Sequence, residues 1–398
     1  MRDTHNVQPA SQRMVFALAA ILTATIALSG CGALTGFLGD EEDELAPAEL
    51  ESFEPAASIR TLWSRRVASG EGNQQLDLRA VLAGGRLFAA GHDGDVGAYD
   101  PSTGERLWET DTGQPLSGGP GAGNGLVVVG DSAGGVVALS STDGAVAWRA
   151  RLTSEVLSAP AVGERIVAVR TVDGKLWGLD AASGAQVWVY DRTVPALSLR
   201  GTSAPVIADE AVVAGFDSGH LAAISLDDGQ LLWEFQVAVP TGQTELERLA
   251  DMDADPVVSD GTVYAAAFQG RIAAFELRTG RPRWQRDLSS YAGIGIGQRL
   301  IYVTDEESHV WAFDRGTGAS LWRQDGLARR GVTRPVEFGG HVVVADSEGY
   351  IHWLDIDDGR FAARTRAGGG AVTAPPVTGG NALYILGGSG TLTSFARP

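Results

Sequence analysis

The chain of 398 residues carries 31 basic against 49 acidic side chains, a formal net charge of −18, and contains 53 Gly, 10 Trp and a single Cys. A hydrophobic content of 44% is enough for a large core and excludes wholesale disorder. The acidic balance excludes a nucleic-acid binder, which needs a basic footprint on phosphate, and one cysteine excludes both an internal disulfide and a multi-thiolate metal site. Such abundant glycine predicts many tight turns and therefore many short strands.

At the N-terminus, Arg2 and Arg13 precede an uncharged apolar run from Met14 to Leu28. That run is too short for a comfortable membrane span and has the layout of a signal peptide over residues 1–30. It ends in Leu28-Ser29-Gly30-Cys31, which resembles the lipobox of bacterial lipoproteins. The resemblance implies cleavage before Cys31 and acylation of that residue, and several acyl chains at about 0.8 kcal/mol per buried methylene anchor a protein to a bilayer. Gly32 stands where an Asp would follow in retained lipoproteins, which implies delivery to the outer membrane with the mature chain on its periplasmic face. Residues 31–58 then read as a lipidated, acidic, flexible tether: the stretch includes Asp40-Glu-Glu-Asp-Glu44, holds no basic residue and shows no apolar period.

From residue 59 to 398 one phrase recurs, in which two short strands surround a Gly-containing turn and a Trp follows the turn glycine by four residues. It runs through Gly94–Trp108, Gly135–Trp148, Gly174–Trp188, Gly219–Trp233, Gly270–Trp284 and His309–Trp322. A seventh copy, Gly349–Ala363, has Ala363 where Trp is expected, and an eighth, Gly390–Phe395, stops before its turn. The strand-like Ile59–Trp63 at the opposite end supplies what the eighth lacks. With a small residue and Pro marking a further strand upstream, as at Ser158-Ala-Pro160 and Thr373-Ala-Pro375, each unit of about 42 residues contains four strands. An all-β, eight-bladed propeller of four-stranded antiparallel blades follows, closed by the N-terminal strand completing the last blade. The periodic Trp residues read as packing between blades, and Asp100, Asp180, Asp314 and Asp355 as groups that bond their own turns.

The phrase resembles the quinoprotein-type propeller repeat, which raises the alternative of a quinone-dependent dehydrogenase. The adjacent cysteine pair of such enzymes is missing here, the six His are scattered singly, and no nucleophile signature is present. The expectation is a non-enzymatic protein with no cofactor and no metal.

The turn glycines 104, 144, 184, 229, 280, 318 and 359 are spaced by 40, 40, 45, 51, 38 and 41 residues. The two long intervals are consecutive, and insertions in such arrays collect on one face, where they frequently bind. The first holds Leu197 and Leu199 beside Arg200, and the second holds Asp251 and Asp253 after Glu245–Leu249, a stretch that reads as a helical turn. Either these groups form a docking patch for a protein, or the leucines pack beneath their loop while the carboxylates cap a turn or bond Arg200.

Taken with the lipobox, the acidic tether and the eight repeats, the strings Pro195–Gly201, Thr244–Pro256 and Val342–Trp353 resemble the BamB family of lipoproteins of the outer-membrane β-barrel assembly machinery. The resemblance implies a scaffold that docks on a periplasmic POTRA domain of BamA through Leu197, Leu199, Arg200, Asp251 and Asp253. It also implies assistance to nascent outer-membrane proteins, by adding their strands to a sheet edge. Ala363 and the tether depart from the family pattern without touching the implied interface. A lipoprotein that binds the cell wall remains an alternative.

Overall fold

The computed structural model describes residues 46–70, 76–195, 203–239, 244 and 250–398. The alternating apolar runs of each repeat form strands that pair antiparallel with their neighbours in chain order, giving eight sheets. The first strands of successive sheets touch in cyclic order, and the last, Val377–Gly379, meets the first, Val81–Ala83. The sheets therefore stand radially around a central channel as an eight-bladed β-propeller. The middle strands, such as Ala211–Phe216, are apolar and buried throughout, because a neighbouring blade covers each face. Among the described residues no helix is long and apolar enough to cross a membrane.

The ring closes as the repeat pattern predicts. Thr61–Arg66 pairs antiparallel with Thr391–Ala396, Trp63 opposite Ser394 and Arg66 opposite Thr391, and becomes the outer strand of blade 8. Asp77–Leu78 adds a fifth, parallel strand to the inner edge of blade 2, against Leu116–Gly123. This places Asp77 and Arg79 at the channel.

Every outer strand slips register just before its Trp or the equivalent residue. A bulge of this kind re-aims one side chain, and here it turns the indole toward the next blade. Trp63, Trp108, Trp148, Trp188, Trp233, Trp284 and Trp322 lie on Gly104, Gly144, Gly184, Gly229, Gly280, Gly318 and Gly359. These glycines have φ from +66° to +74°, and a Cβ on Gly184 would sit 2.4 Å from the Trp148 ring. Each position thus excludes a side chain on two grounds, left-handed backbone and space. Each indole Nε1 donates to a carbonyl of the same turn, as Trp188 does to Leu226 O at 2.9 Å and Trp233 to Leu277 O at 2.7 Å. The turn itself is set by its Asp: Asp100 Oδ1 accepts the Ser102 hydroxyl and the amides of Ser102 and Thr103, the latter two at 2.8 and 3.0 Å, and the hydroxyl bond first, then the amides, hold its pKa below the usual carboxylate value.

Blade 7 is the exception. Blade 8 has no turn for an eighth indole to cover, because its outer strand arrives from the other end of the chain. Ala363 packs instead into a cluster with Trp353 and Phe395, joined by Ala57 and Ile59. Upstream, part of the segment that reads as a tether is docked. The amides of Ala56 and Ala57 donate to Ala362 O at 2.8 and 3.1 Å, Ala48 N donates to Ala328 O at 2.9 Å, and Phe53 stacks on Phe361 at 5.4 Å. Arg330 Nη1 and Arg364 Nη1 donate to the carbonyls of Ala48 and Glu51 at 2.8 and 2.9 Å. Both arginines belong to a buried network in which fully buried His352 lies 3.1 Å from Asp346 and 3.2 Å from Arg364 Nε. Composition conceals this docking because it depends on single anchors, Leu50, Phe53 and Ile59, and needs no apolar period. Residues 1–45, including Cys31, lie outside the described residues.

Removal of one interior indole tests the packing scheme. Trp188→Ala opens a cavity between blades 3 and 4 and is expected to cost about 3–5 kcal/mol in urea denaturation. Ala363→Trp gains nothing, having no turn to cover, and is expected to destabilise by about 1–3 kcal/mol through overpacking. A stabilising Ala363→Trp would show that blade 7 lacks an indole for some other reason.

Candidate functional site

Four antiparallel strands per blade put the first and third hairpins at one end of the ring. The second hairpin and the connection to the next blade fall at the other end. The first end is occupied by the clamped Trp turns, so insertions are accommodated at the second. Both stretched intervals are such connections: one joins the outer strand of blade 3, Gln186–Asp191, to Val206–Ala208, and the other joins Leu231–Gln236 to Val257–Ser259. Their described ends therefore lie side by side at one channel mouth. Leu197, Leu199, Arg200 and the Glu245–Leu249 stretch lie outside the described residues.

Asp251 and Asp253 are described, and of the two readings left open by the sequence their burial fits the one in which the carboxylates serve the segment itself. Asp251 is fully buried, its carbonyl accepts Phe268 N at 2.8 Å, and its Oδ1 accepts the amide of Met252 at 2.8 Å. Ala250 and Met252 are sunk in the cluster between blades 4 and 5, and Ala254 in the cluster between blades 5 and 6. Alternation leaves Asp251, Asp253 and Asp255 on the other side of the segment. Gly215 is required beneath it, since a Cβ there would meet Met252 Cβ at 2.8 Å. Asp253 is half-buried, with Oδ1 buried and lacking a hydrogen-bond partner among the described residues. Burial, followed by the nearby charges of Asp251 and Asp217 and only partly offset by Arg170, raises its pKa to about 8. The shift favours the neutral carboxyl form, which can donate a hydrogen bond.

Below this segment Arg170 and Asp217 form a buried ion pair at 2.6 Å. Arg170 also donates to Gly215 O, and its guanidinium lies 4.6 Å from the centre of the Phe216 ring. A second ionic cluster spans the channel: Arg79 bonds both oxygens of Asp77 and donates to Asp255 Oδ2 at 2.7 Å. Asp255 Oδ1 accepts the amide of Ala204 at 2.6 Å, and Asp77 Oδ2 accepts that of Ala159 at 3.3 Å. One charge cluster thus ties blades 3, 4 and 5 to the strand beside blade 2. Burial works to raise both carboxylate pKa values; Asp77 stays raised despite Arg79, whereas Arg79 and Arg334 hold Asp255 low.

Sequence reading missed these charges. Arg170 carries a signal, since the other blades place Ala90, Gly130, Gly215, Ala266, Thr304, Ala345 or Leu386 at the same step before the turn. Arg79 stands alone in an apolar stretch, which also marks it. Among the described residues one group has metal-ligand proximity, Asp305, Glu307 and His309. The Asp305 oxygens are engaged by the turn: Oδ1 accepts the amides of Glu307 and His309 at 3.1 and 2.8 Å, while Oδ2 lies 2.9 Å from His309 Nδ1 and accepts Trp311 Nε1 at 2.8 Å.

Residues 92–324 and 313–397 match the family model described as outer membrane protein assembly factor BamB. The chain is 46% identical over 385 residues to the protein of that name from Alkalilimnicola ehrlichii, covering 97% of each. It is also 46% identical over 377 residues to the one from Pseudomonas aeruginosa, covering 95% of this chain and 98% of that one. The crystal structure of BamB from Moraxella catarrhalis superposes with a TM-score of 0.77 at 30% identity, over 85% of this chain and all of the other. A repeat architecture alone would match many propellers at low identity, whereas these likenesses run through the stretched connections as well, and the chain belongs to the BamB family of outer membrane protein assembly factors.

Proposed function

We propose that this protein is a non-enzymatic scaffold of the β-barrel assembly machinery, anchored through Cys31 to the periplasmic face of the outer membrane. Its mouth-face connections bind the POTRA domains of BamA. The observation that carries the proposal is family membership along 97% of the chain, in relatives named for outer-membrane protein assembly. The position of both stretched connections at one mouth supports a single docking face. Leu197, Leu199 and Arg200 are assigned to direct contact. Buried Asp251 and half-buried Asp253 are assigned to holding the second connection in place.

The edges offer a second binding mode, for client strands. The outer strands of blades 3 and 4, Gln186–Asp191 and Leu231–Gln236, contain no Arg, Lys or Pro, while every other outer strand has at least one Arg. Basic and Pro residues on an edge oppose strand addition; these two adjacent edges carry one acid each, Asp191 and Glu234, and no base or Pro, so they are the least guarded of the eight. Val187 and Leu232 are 48% and 53% exposed there.

Leu197→Ala combined with Arg200→Ala is expected to abolish co-purification with BamA while the thermal midpoint stays nearly unchanged, since two central anchors cost about 2–4 kcal/mol of binding. Retained binding rejects the loop assignment. Cys31→Ala is expected to move the protein from the membrane to the soluble periplasmic fraction; persistence in the membrane refutes the anchor. For the edges, Val189→Lys is expected to weaken crosslinking of an unfolded outer-membrane protein to blade 3 several-fold, whereas a lysine at Arg149 of blade 2 leaves it unchanged. Equal crosslinking by both variants removes strand addition.

A further inference from the structure

A cavity of about 480 Å³ opens at the channel mouth, bordered by Arg334, Asp253, Asp255, Tyr291, Leu157 and Pro375. That size suits a small ligand or one residue of a larger one. We propose that this cavity is a binding site for a carboxylate attached to a short apolar or aromatic group, with Arg334 as its cationic partner.

Hydrogen-bonding capacity at the mouth is unevenly filled. The two carboxylates paired to Arg79 are engaged: Asp77 holds Arg79 and the Ala159 amide, and Asp255 holds Arg79 and the Ala204 amide. The donors are not. Arg334 extends past Gly293, its Cδ 3.2 Å from where a Cβ on that glycine would stand, and its side chain is 26% exposed. Its ion pair among the described residues is Asp255 at 3.8 Å, beyond hydrogen-bond range and to a carboxylate already shared with Arg79. A guanidinium has five N–H donors in a planar fork, and a carboxylate is the acceptor that fills two of them at once. Burial lowers the pKa of Arg334, the mark of a cation that has given up water without full compensation.

Asp253 contributes a second donor in its neutral form, and the 42% exposed Tyr291 brings a ring and a phenol to the rim. With Asp253 neutral, Asp77, Arg79, Asp255 and Arg334 sum to no net charge. That balance favours a monoanion and disfavours a phosphate dianion beside two carboxylates. Leu157, Val332 and Pro375 give the apolar wall. Such a carboxylate comes either as a free organic acid or as the C-terminus of an extended polypeptide.

The site stands independently of BamA docking, and it is tested on the purified protein alone. Calorimetric titrations use three probes: 3-phenylpropionate, N-acetyl-Ala-Phe with a free carboxylate, and the same dipeptide as its C-terminal amide. Both acids are expected to bind and the amide at least tenfold more weakly. Tighter binding of the dipeptide acid identifies a polypeptide terminus, and equal binding identifies a free acid. Arg334→Gln is expected to lower acid affinity at least tenfold.

The pH profile gives a readout that a folding defect would not mimic. Asp253 is faced by Asp251, Asp217 and Arg170 from its surroundings and shares the cavity with Asp77, Arg79, Asp255 and Arg334. Loss of its proton places an anion in the site, so acid binding is expected to weaken as pH rises through about 8. Asp253→Asn keeps a donor without the titration and is expected to bind with a flat profile. Acid and amide binding alike, no binding by either acid, or wild-type affinity in Arg334→Gln each overturns the proposal.

Discussion

The ring holds together because each outer-strand indole lies on a glycine that belongs to the following blade. An indole burying about 150–250 Å² gives at most about 4–6 kcal/mol of hydrophobic stabilisation, against about 1 kcal/mol for its hydrogen bond to the turn carbonyl. Burial therefore sets the strength of each contact, and the Nε1 bond sets its direction. The contact also links the blades by geometry, since the bulge that aims the indole belongs to one repeat and the left-handed glycine that receives it to the next. Seven interfaces use it. The eighth lies where the chain's ends meet, and there the packing of Ala57, Ile59 and Ala363 replaces it.

This constraint decides where variation is possible. The end of the ring that carries the clamped turns has no freedom, because a longer turn would lift the glycine off its indole. Extra chain is admitted where one blade passes to the next, and both stretched connections fall there, on adjacent blades. The least guarded outer strands belong to blades 3 and 4, which flank the first of those connections. The connections that admit extra chain and the edges without a base or Pro meet on one sector of the ring, opposite the sector where residues 48–57 cover blade 7.

What could be read from the sequence follows the same division. The blades, their turns, the closing strand and the Trp positions were all legible, because each rests on a short local phrase repeated often enough to reveal its period. Ala363 was visible as a departure, and the structure supplies its reason in the missing turn of blade 8. The burial of Asp251 was not legible. A D-x-D-x-D string reads as solvated surface, and only the alternation of Ala250, Met252 and Ala254 into two cores turns the carboxylates inward. The pairing of Arg79 with Asp255 was hidden for a different reason: the two are 176 residues apart and meet only because the ring brings opposite blades to one channel.

That cross-channel pairing bears on how the molecule can act. An ion cluster inside a channel stabilises little by itself, since desolvation offsets much of the attraction, but removing one member leaves a buried charge unpaired. Arg79 reaches Asp255 while Asp77 meets Ala159, and Asp255 meets Ala204, so relative movement of these blades would break several charged bonds together. The blades that carry the stretched connections are thereby held in register from the inside by charge and from the outside by indoles. A surface held at both radii fixes the ends of those connections relative to one another, which is the rigidity that the proposed docking face requires.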